Sequence, residues 1–282
     1  MRTPRAAMTV LNGQPLNDRG VVAVRGADAG PFLQGLITND LDGLSEQRAI
    51  FAGLLSPQGK LLFEFVVAKT QLGFLLDASA NQTAHLVKRL TLYKLRAKVD
   101  IEDVSAAHCV VAVAGDGGHA DPREAAMPRR LVVLREPGSF DSAFGDYDTC
   151  RIALGIPEGS KDYAFGELFP HEAMFDQLNG VSFTKGCYVG QEIVARMQHR
   201  GTARSRFLIV NASTPLPPMG TEVRAGETPL GAMGSSVGTQ GLALVRLDRL
   251  GDAYKAGRPV TIGGVPVTFT KPPYATFDVP AP

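Results

Sequence analysis

The residues best suited to chemistry lie in one short run, residues 184–192, where a single thiol, Cys187, stands close to two glycines. Gly186 and Gly190 allow the backbone to turn sharply or to pass close to another group. Lys185 places a full positive charge two residues before the thiol. A thiol held in a turn beside a cation is the setting expected of a cysteine that reacts or ligates a metal.

A helix is predicted directly after this run, because apolar residues from Ile193 onward recur at helical spacing. Gln191 and Glu192 would then occupy its first turn and cap it rather than react. The positive end of the helix and the charge of Lys185 both favour the thiolate form of Cys187. The alternative is an inert cysteine in the core, since free cysteines are among the most often buried residues.

The composition sets few limits on function. The chain has 282 residues, enough for two or three domains, and its 29 basic and 28 acidic side chains give a net charge of +1. This balance gives no reason to expect nucleic acid as a partner. No apolar run reaches the ~18 residues of a membrane-spanning helix, so no membrane association is expected either.

The three cysteines, Cys109, Cys150 and Cys187, are few and odd in number, which favours a reducing compartment over a disulfide framework. Residues 1–17 lack the hydrophobic stretch of a secretory signal, and a transit peptide there would be very short, so a cytoplasmic protein is expected. The spacing of the histidines predicts no metal site. An iron–sulfur cluster needs about four thiolates, so Cys187 could ligate one only by sharing it with a partner or a small thiol.

The pattern of elements predicts a mixed α+β protein rather than a regular β-α-β alternation. In residues 21–104, five strand-like runs are interspersed with two helices, and a strong turn signal at residues 56–59 separates two of the strands. Residues 115–137 are rich in glycine, proline and charge, and we expect a loop or an insertion there. From residue 206 onward, short strands between glycine and proline turns predict a small antiparallel barrel.

These patterns divide the chain into a mixed α+β region, residues 1–201, and a C-terminal β-barrel, residues 202–282. Within the first region we distinguish two sub-domains, residues 1–105, completed by later strands, and residues 106–201. The boundary between this region and the barrel falls near residues 201–206, after which short strands alternate with glycine and proline turns.

The run around the thiol resembles a known signature. Residues 181–192, VSFTKGCYVGQE, are similar to the signature of the YgfZ-type folate-binding proteins, relatives of the glycine-cleavage T-protein, a folate-dependent aminomethyltransferase. A K-G-C-Y-x-G-Q-E string is long and specific. The likeness extends over most of the chain, through residues 26–28, 32–40, 151–157, 170–173 and 226–247.

The resemblance implies a three-part fold, with two mixed α+β parts around a central pocket for tetrahydrofolate and a C-terminal β-barrel beside them. It points to Arg151 and Glu172 as folate contacts, with Asn39, Asp40 and Tyr188 near the same pocket. A carboxylate suits the donor edge of the pterin, and arginine suits the acidic glutamate tail. Two alternatives stay open, Arg151 as a structural ion pair between domains and Asp40 as a turn cap.

The resemblance also implies a role in the assembly or repair of iron–sulfur clusters, with cluster assembly or client proteins as partners. Cys187 would be the working thiol, Lys185 would keep it ionised, and Gly186 and Gly190 would shape its turn. We therefore expect Cys187 at or near the mouth of the central cavity. We also expect it to be alkylated faster than the other two cysteines.

The second hypothesis is an enzyme, a folate-dependent aminomethyl or one-carbon transferase. T-protein enzymes carry paired aspartates on the strand after the first hairpin turn, and an acid there serves aminomethyl transfer. The corresponding pair here is Phe63-Glu64. Glu64 or Asp40 would be the acid, but the carboxylate of Glu64 sits one methylene farther out, and a displacement of about 1 Å can cost about a hundredfold in rate. A third interpretation, a scaffold with an inert Cys187, predicts no folate binding.

Overall fold

The computed structural model describes residues 11–113, 115, 117–135, 140–141, 146–201 and 203–282. Most of the N-terminal segment for which no secretory signal is predicted lies outside these residues. None of the described helices is long and apolar enough to cross a membrane. The elements of this part of the chain, in order, are β1 (Leu11–Pro15), β2 (Arg19–Arg25), α1 (Ala29–Gln34), β3 (Ile50–Leu55), β4 (Leu61–Thr70), β5 (Gly73–Ser79), α2 (Thr83–Lys94), β6 (Asp100–Asp103), β7 (His108–Val113), β8 (Arg129–Leu134), β9 (Phe140–Asp141), α3 (Tyr147–Leu154), α4 (Gln191–Arg200), β10 (Ser205–Ala212), β11 (Glu222–Ala225), β12 (Thr228–Val237), β13 (Gln240–Arg246), α5 (Leu247–Lys255), β14 (Val260–Ile262) and β15 (Val265–Thr270).

The first sheet has five antiparallel strands in the order β3-β4-β5-β2-β6. The predicted hairpin turn joins β3 to β4, and Gly59 takes the positive φ of 77° in that turn. Val22 and Val24 on β2 pack against α1 and α2. The alternate residues Val21 and Ala23 face the second sheet, so both faces of the first sheet are covered.

The second sheet has the strand order β8-β7-β1-β9. Its strand β1 pairs antiparallel with β7 and parallel with β9. Gly13 permits the close approach of β1, because a side chain there would lie 2.7 Å from the carbonyl oxygen of Ala112. This segment, LNGQP, lacks an apolar alternation, so the sequence predicts no strand here and places residues 1–105 in the first sub-domain. In the structure its hydrogen bonds belong to the second sheet.

Six antiparallel strands close the C-terminal barrel, in the order β10-β13-β12-β11-β14-β15. Its interior is apolar, with Leu208, Val223 and Val245 fully buried. Helix α5 was not predicted, because only two of its nine residues, Leu250 and Ala253, are buried and the apolar stripe is short. The predicted α+β fold with a C-terminal antiparallel barrel is confirmed.

A buried network of ion pairs joins the two sheets. Arg130 on β8 pairs with Asp77 on β5 and also with Asp121. Arg123 pairs with Asp121 at 2.7 Å, and both side chains are buried. The prediction of a loop or insertion for residues 115–137 is therefore only partly right, because this segment supplies charges to the core. Charged residues are rarely buried unless paired, so the sequence alone favoured the surface.

Candidate functional site

The loop that carries the thiol leads directly into α4. Gly190 precedes the helix with a positive φ of 82°. A side chain at this position would lie 2.7 Å from the carbonyl oxygen of Ser56, in the turn between β3 and β4. Gly186 has open space around it. The predicted helix start is confirmed, and Gly190 rather than Gly186 is the glycine that the backbone requires.

Cys187 is exposed, whereas Cys109 is buried and Cys150 is half-buried on α3. The flanking residue Gly186 is also exposed, and Tyr188 lies beneath the loop with 7% of its surface exposed. The alternative of an inert thiol in the core is therefore not what the structure shows. Cys187 can meet a reagent or a second protein without any rearrangement of the fold.

Lys185 faces away from solvent and is 8% exposed. Its ammonium donates hydrogen bonds to the carbonyl oxygens of Gln34 at 2.7 Å, Ile37 at 2.8 Å and Asn39 at 2.8 Å. Burial lowers the pKa of Lys185 to about 8, against the opposing effect of the nearby carboxylate of Asp40. Because an ammonium has three hydrogens and all three are used, Lys185 has none left for the sulfur of Cys187.

A cavity of about 700 Å³ lies beside this loop, between the first sheet and the segment that follows β7. Asn39 and Asp40 line it, and the other lining residues come from three separate stretches of chain. Those stretches are residues 43–51, 120–122 and 179–184. Cys187 is not among the lining residues and follows the last of them, Thr184, by three positions.

The cavity combines a carboxylate, a cation and an aromatic ring. Asp40 accepts hydrogen bonds from the backbone of Asp42 at 3.0 Å and from the side chain of Gln34 at 2.8 Å, and these bonds lower its pKa. Arg48 is exposed at the same cavity, and Phe183 keeps 46% of its surface exposed. The site therefore offers an ionised acceptor, a positive charge and a stacking surface.

Asn39 holds the cavity wall together rather than pointing free groups into it. Its side-chain amide donates to the carbonyl oxygens of Phe51 at 2.7 Å and Asn179 at 2.6 Å. Its side-chain oxygen accepts from the backbone N–H of Asp40 at 2.8 Å. The three segments that Asn39 joins all contribute to the cavity lining.

Arg151, expected to contact folate, lies elsewhere. It is fully buried on α3, where it donates to Asp162 at 2.7 Å, to Asp148 at 2.6 Å and to the hydroxyl of Ser235 at 2.7 Å. Ser235 belongs to β12, so Arg151 ties α3 to the barrel. This position fits the alternative left open for Arg151, a structural ion pair between parts of the protein.

Two further expected pocket residues are also outside the cavity. Glu172 accepts a hydrogen bond from the backbone N–H of Phe169 at 3.0 Å and lines a smaller cavity of about 260 Å³ between α4 and the barrel. Tyr188 lies with its ring centroid 5.2 Å from the ammonium of Lys185, and burial raises its pKa to about 12. Tyr188 thus packs within the thiol loop, and Glu172 lies beside helix α4.

Glu64 is enclosed by protein and 2% exposed. Its carboxylate accepts from the backbone N–H of Gly159 at 2.8 Å and from the hydroxyl of Tyr163. Burial raises the pKa of Glu64. It does not line the 700 Å³ cavity, whereas Asp40, the other acid considered for transfer chemistry, does.

Sequence reasoning missed Arg48, Asn179 and Phe183 as cavity residues. Phe183 stands inside the signature but carried no assigned role, and its exposed ring gives no periodic signal. Arg48 and Asn179 are isolated polar residues that only the folded chain brings together. Among the described residues, no group of three or more histidine, cysteine or acidic side chains is placed to hold a metal ion.

Two family models and one solved structure match this chain. Residues 16–119 match the family described as the GCVT N-terminal domain, and residues 204–277 match the family described as the CAF17 C-terminal beta-barrel domain. The crystal structure of glycine cleavage system aminomethyltransferase T from Bartonella henselae superposes with a TM-score of 0.71, covering 95% of this chain and 88% of that chain at 13% identity. Fold and architecture are thus those of the T-protein group.

Relatives with similar sequences identify a more specific family within the T-protein group. The human mitochondrial iron-sulfur cluster assembly factor IBA57 is 36% identical over 258 residues, covering 79% of this chain and 72% of that protein. The mouse protein of the same name is 33% identical over 277 residues, covering 83% and 77%. The chain belongs to the IBA57 family of iron–sulfur cluster assembly factors.

These findings decide some of the expectations from sequence. The relationship to the T-protein is confirmed, and the implied link to iron–sulfur cluster assembly agrees with the names of the relatives. The narrower YgfZ-type assignment and the binding of folate stay predictions. The expectation of a cytoplasmic protein is contradicted, because these relatives are named as mitochondrial proteins.

Proposed function

We propose that this protein is a YgfZ-type, tetrahydrofolate-binding accessory factor of iron–sulfur cluster assembly, and that Cys187 supplies one thiolate to a cluster that a second protein also ligates. The observation that carries the proposal is the exposure of Cys187 in a loop that continues one wall of a large cavity. The names of the relatives support the link to cluster assembly.

The thiol supports a shared cluster rather than a resident one. An iron–sulfur cluster is held by about four thiolates or equivalent ligands. Of the three cysteines only Cys187 is exposed, and the other two lie on α3 and inside the second sheet. The remaining ligands would come from a cluster assembly or client protein, or from a small thiol. The cluster is thus cargo that passes through this site.

The cavity supports tetrahydrofolate as a ligand. Its volume of about 700 Å³ lies within the range usual for small-molecule sites. Asp40 would accept the N–H groups at the edge of the pterin, Arg48 would pair with the glutamate tail, and Phe183 would stack on a ring. When bound, tetrahydrofolate supplies a reduced pterin that can carry a one-carbon unit.

An accessory role is favoured over aminomethyl transfer by the position of Glu64. A general acid or base must come within hydrogen-bond reach of the proton it moves. Glu64 is occupied by Gly159 and Tyr163 inside the protein and lies off the cavity. Asp40 lines the cavity and is the one proposed acid that a bound folate would meet.

The test is cluster reconstitution in the presence of a carrier protein that supplies thiolates. Wild-type protein, Cys187→Ser and the matched control Cys150→Ser are compared by visible absorption and circular dichroism. We expect the shared-cluster signal with wild type and with the control, and its loss with Cys187→Ser. An unchanged signal in Cys187→Ser rejects the role of the thiol. Titration calorimetry with tetrahydrofolate tests the ligand separately, and Asp40→Asn should weaken any binding.

A further inference from the structure

The side chain of Lys185 ends in a cage of backbone oxygens. Its ammonium lies 2.7–2.8 Å from the carbonyl oxygens of Gln34, Ile37 and Asn39, and the residue is 8% exposed. Gln34 is the last residue of α1, and carbonyls at the end of a helix have no partner within it. The ammonium satisfies these oxygens with its three hydrogens and so fixes the path of the chain from α1 to Asn39.

That path leads into the cavity. Asn39 and Asp40 line it, directly after the carbonyls that Lys185 holds. Two further hydrogen bonds join residues 180–182 of the thiol loop to Thr38, in the segment that Lys185 holds. The backbone N–H of Ser182 donates to the carbonyl oxygen of Thr38 at 3.0 Å, and the hydroxyl of Thr38 donates to the carbonyl oxygen of Gly180 at 2.6 Å.

The other end of the junction is the thiol. Cys187 follows Lys185 by two residues, and Gly186 between them is exposed with open space around it. Tyr188, just beyond the thiol, packs its ring beside the same ammonium at 5.2 Å. Lys185 is therefore the buried point that anchors an otherwise exposed stretch of the loop.

We propose that Lys185 is a positioning residue that ties the thiol loop to the cavity wall, so that the cavity and Cys187 move as one unit. Its meaning for cluster assembly rests on the proposed function, but the anchor itself is a property of the free protein. The ammonium acts through the backbone of residues 34–39 and not through a contact with the sulfur. Methionine has similar length and volume but cannot donate these hydrogen bonds.

Hydrogen exchange in the free protein tests the anchor. Lys185→Met is compared with wild type and with the control Lys60→Met, since Lys60 also donates to one backbone carbonyl, that of Glu167, at 2.7 Å. Local opening should speed exchange at the amides of Thr38, Ser182 and residue 185, which are hydrogen-bonded in wild type, by about tenfold or more in Lys185→Met, and leave the barrel unchanged. The control should leave all three amides as in wild type.

A second variant separates an anchor from a merely structural residue. Lys185→Ala leaves space for the missing part of the side chain, which has the size of propylammonium. Added propylammonium should restore slow exchange at the same amides. The neutral analogue of the same size, 1-propanol, should not, because it cannot donate three hydrogen bonds. Exchange within about twofold of wild type in Lys185→Met overturns the proposal. Loss of protection across both sheets that propylammonium does not relieve also overturns it. Failure of the shared cluster in wild type would refute the proposed function and leave this readout intact.

Discussion

Arg151 on α3 and Asp162 in the following segment form an ion pair of 2.7 Å in which neither side chain is exposed to solvent. The same arginine reaches Ser235 of the barrel at 2.7 Å. One residue thus connects the mixed α+β region to the barrel. Removing one partner of such a pair leaves an uncompensated buried charge.

We predict that Arg151→Met lowers the free energy of unfolding by about 3–5 kcal/mol. The matched control is Arg196→Met, which removes an exposed pair with Glu192 on α4 and should change stability by about 0.5 kcal/mol or less. Denaturant titration measures both values. If Arg151→Met folds with wild-type stability but binds folate much more weakly, the structural role is wrong and Arg151 contacts the ligand.

Gly190 is predicted to be far less tolerant of a side chain than Gly186. Gly190→Ala must adopt a positive φ and brings a methyl group 2.7 Å from the Ser56 oxygen, so a loss of about 1–3 kcal/mol is expected. Gly186→Ala meets open space and should stay within about 0.5 kcal/mol of wild type. Thermal unfolding of the two variants side by side decides the matter, and equal losses would contradict the loop geometry.

Cys187 should be alkylated by iodoacetamide at least about tenfold faster than Cys109. Cys109 is buried in the second sheet, and burial raises the pKa of its thiol. Mass spectrometry of timed, quenched samples gives a rate for each cysteine. Similar rates at the two thiols would mean that the loop covers Cys187 in solution.

His171 predicts a dependence of stability on pH. Burial lowers the pKa of this histidine below its ordinary 6.5, despite the opposing effect of Asp176. The unfolded chain therefore binds a proton near pH 6.5, whereas the folded protein binds it only at lower pH. The free energy of unfolding should fall as the pH drops from about 6.5 through the folded-state pKa.

His171→Gln should remove this part of the pH dependence. The control is His199→Gln, because His199 is exposed on α4 and should leave the profile unchanged. Denaturant midpoints measured at intervals from pH 7.5 to about 5 supply the profile. A slope that is identical in wild type and His171→Gln would show that this imidazole is not the group responsible.

Elements that are fixed by local chemistry could be predicted from the sequence. The sequence predicts a helix over residues 147–154, which are the bounds of α3, and the side chain of Asp146 caps this helix by accepting from the backbone of Asp148 and Thr149. Helix α4 begins where the apolar spacing indicates, after Gly190. The barrel followed from its regular glycine and proline turns.

The candidate site could be predicted only where it is contiguous. Residues 184–192 carry the thiol loop in one stretch, but the cavity is assembled from segments that meet only after folding. The sequence also could not predict which way a side chain points. With the same spacing, Lys185 could face the sulfur of Cys187 or point away from it. The ion-paired position of Arg151 away from the cavity was likewise not predictable, because its partner on β12 lies 84 positions away.

The pairing of β1 with β7 has a consequence for how the nascent protein matures. Gly13 and Val113 are register partners, although one hundred residues separate them in the chain. All five strands of the first sheet leave the ribosome before that partner does. Since closing long loops slows folding, we expect the second sheet to complete late in synthesis. Until then β1 lacks its antiparallel partner strand, and its backbone N–H and C=O groups are open to a chaperone.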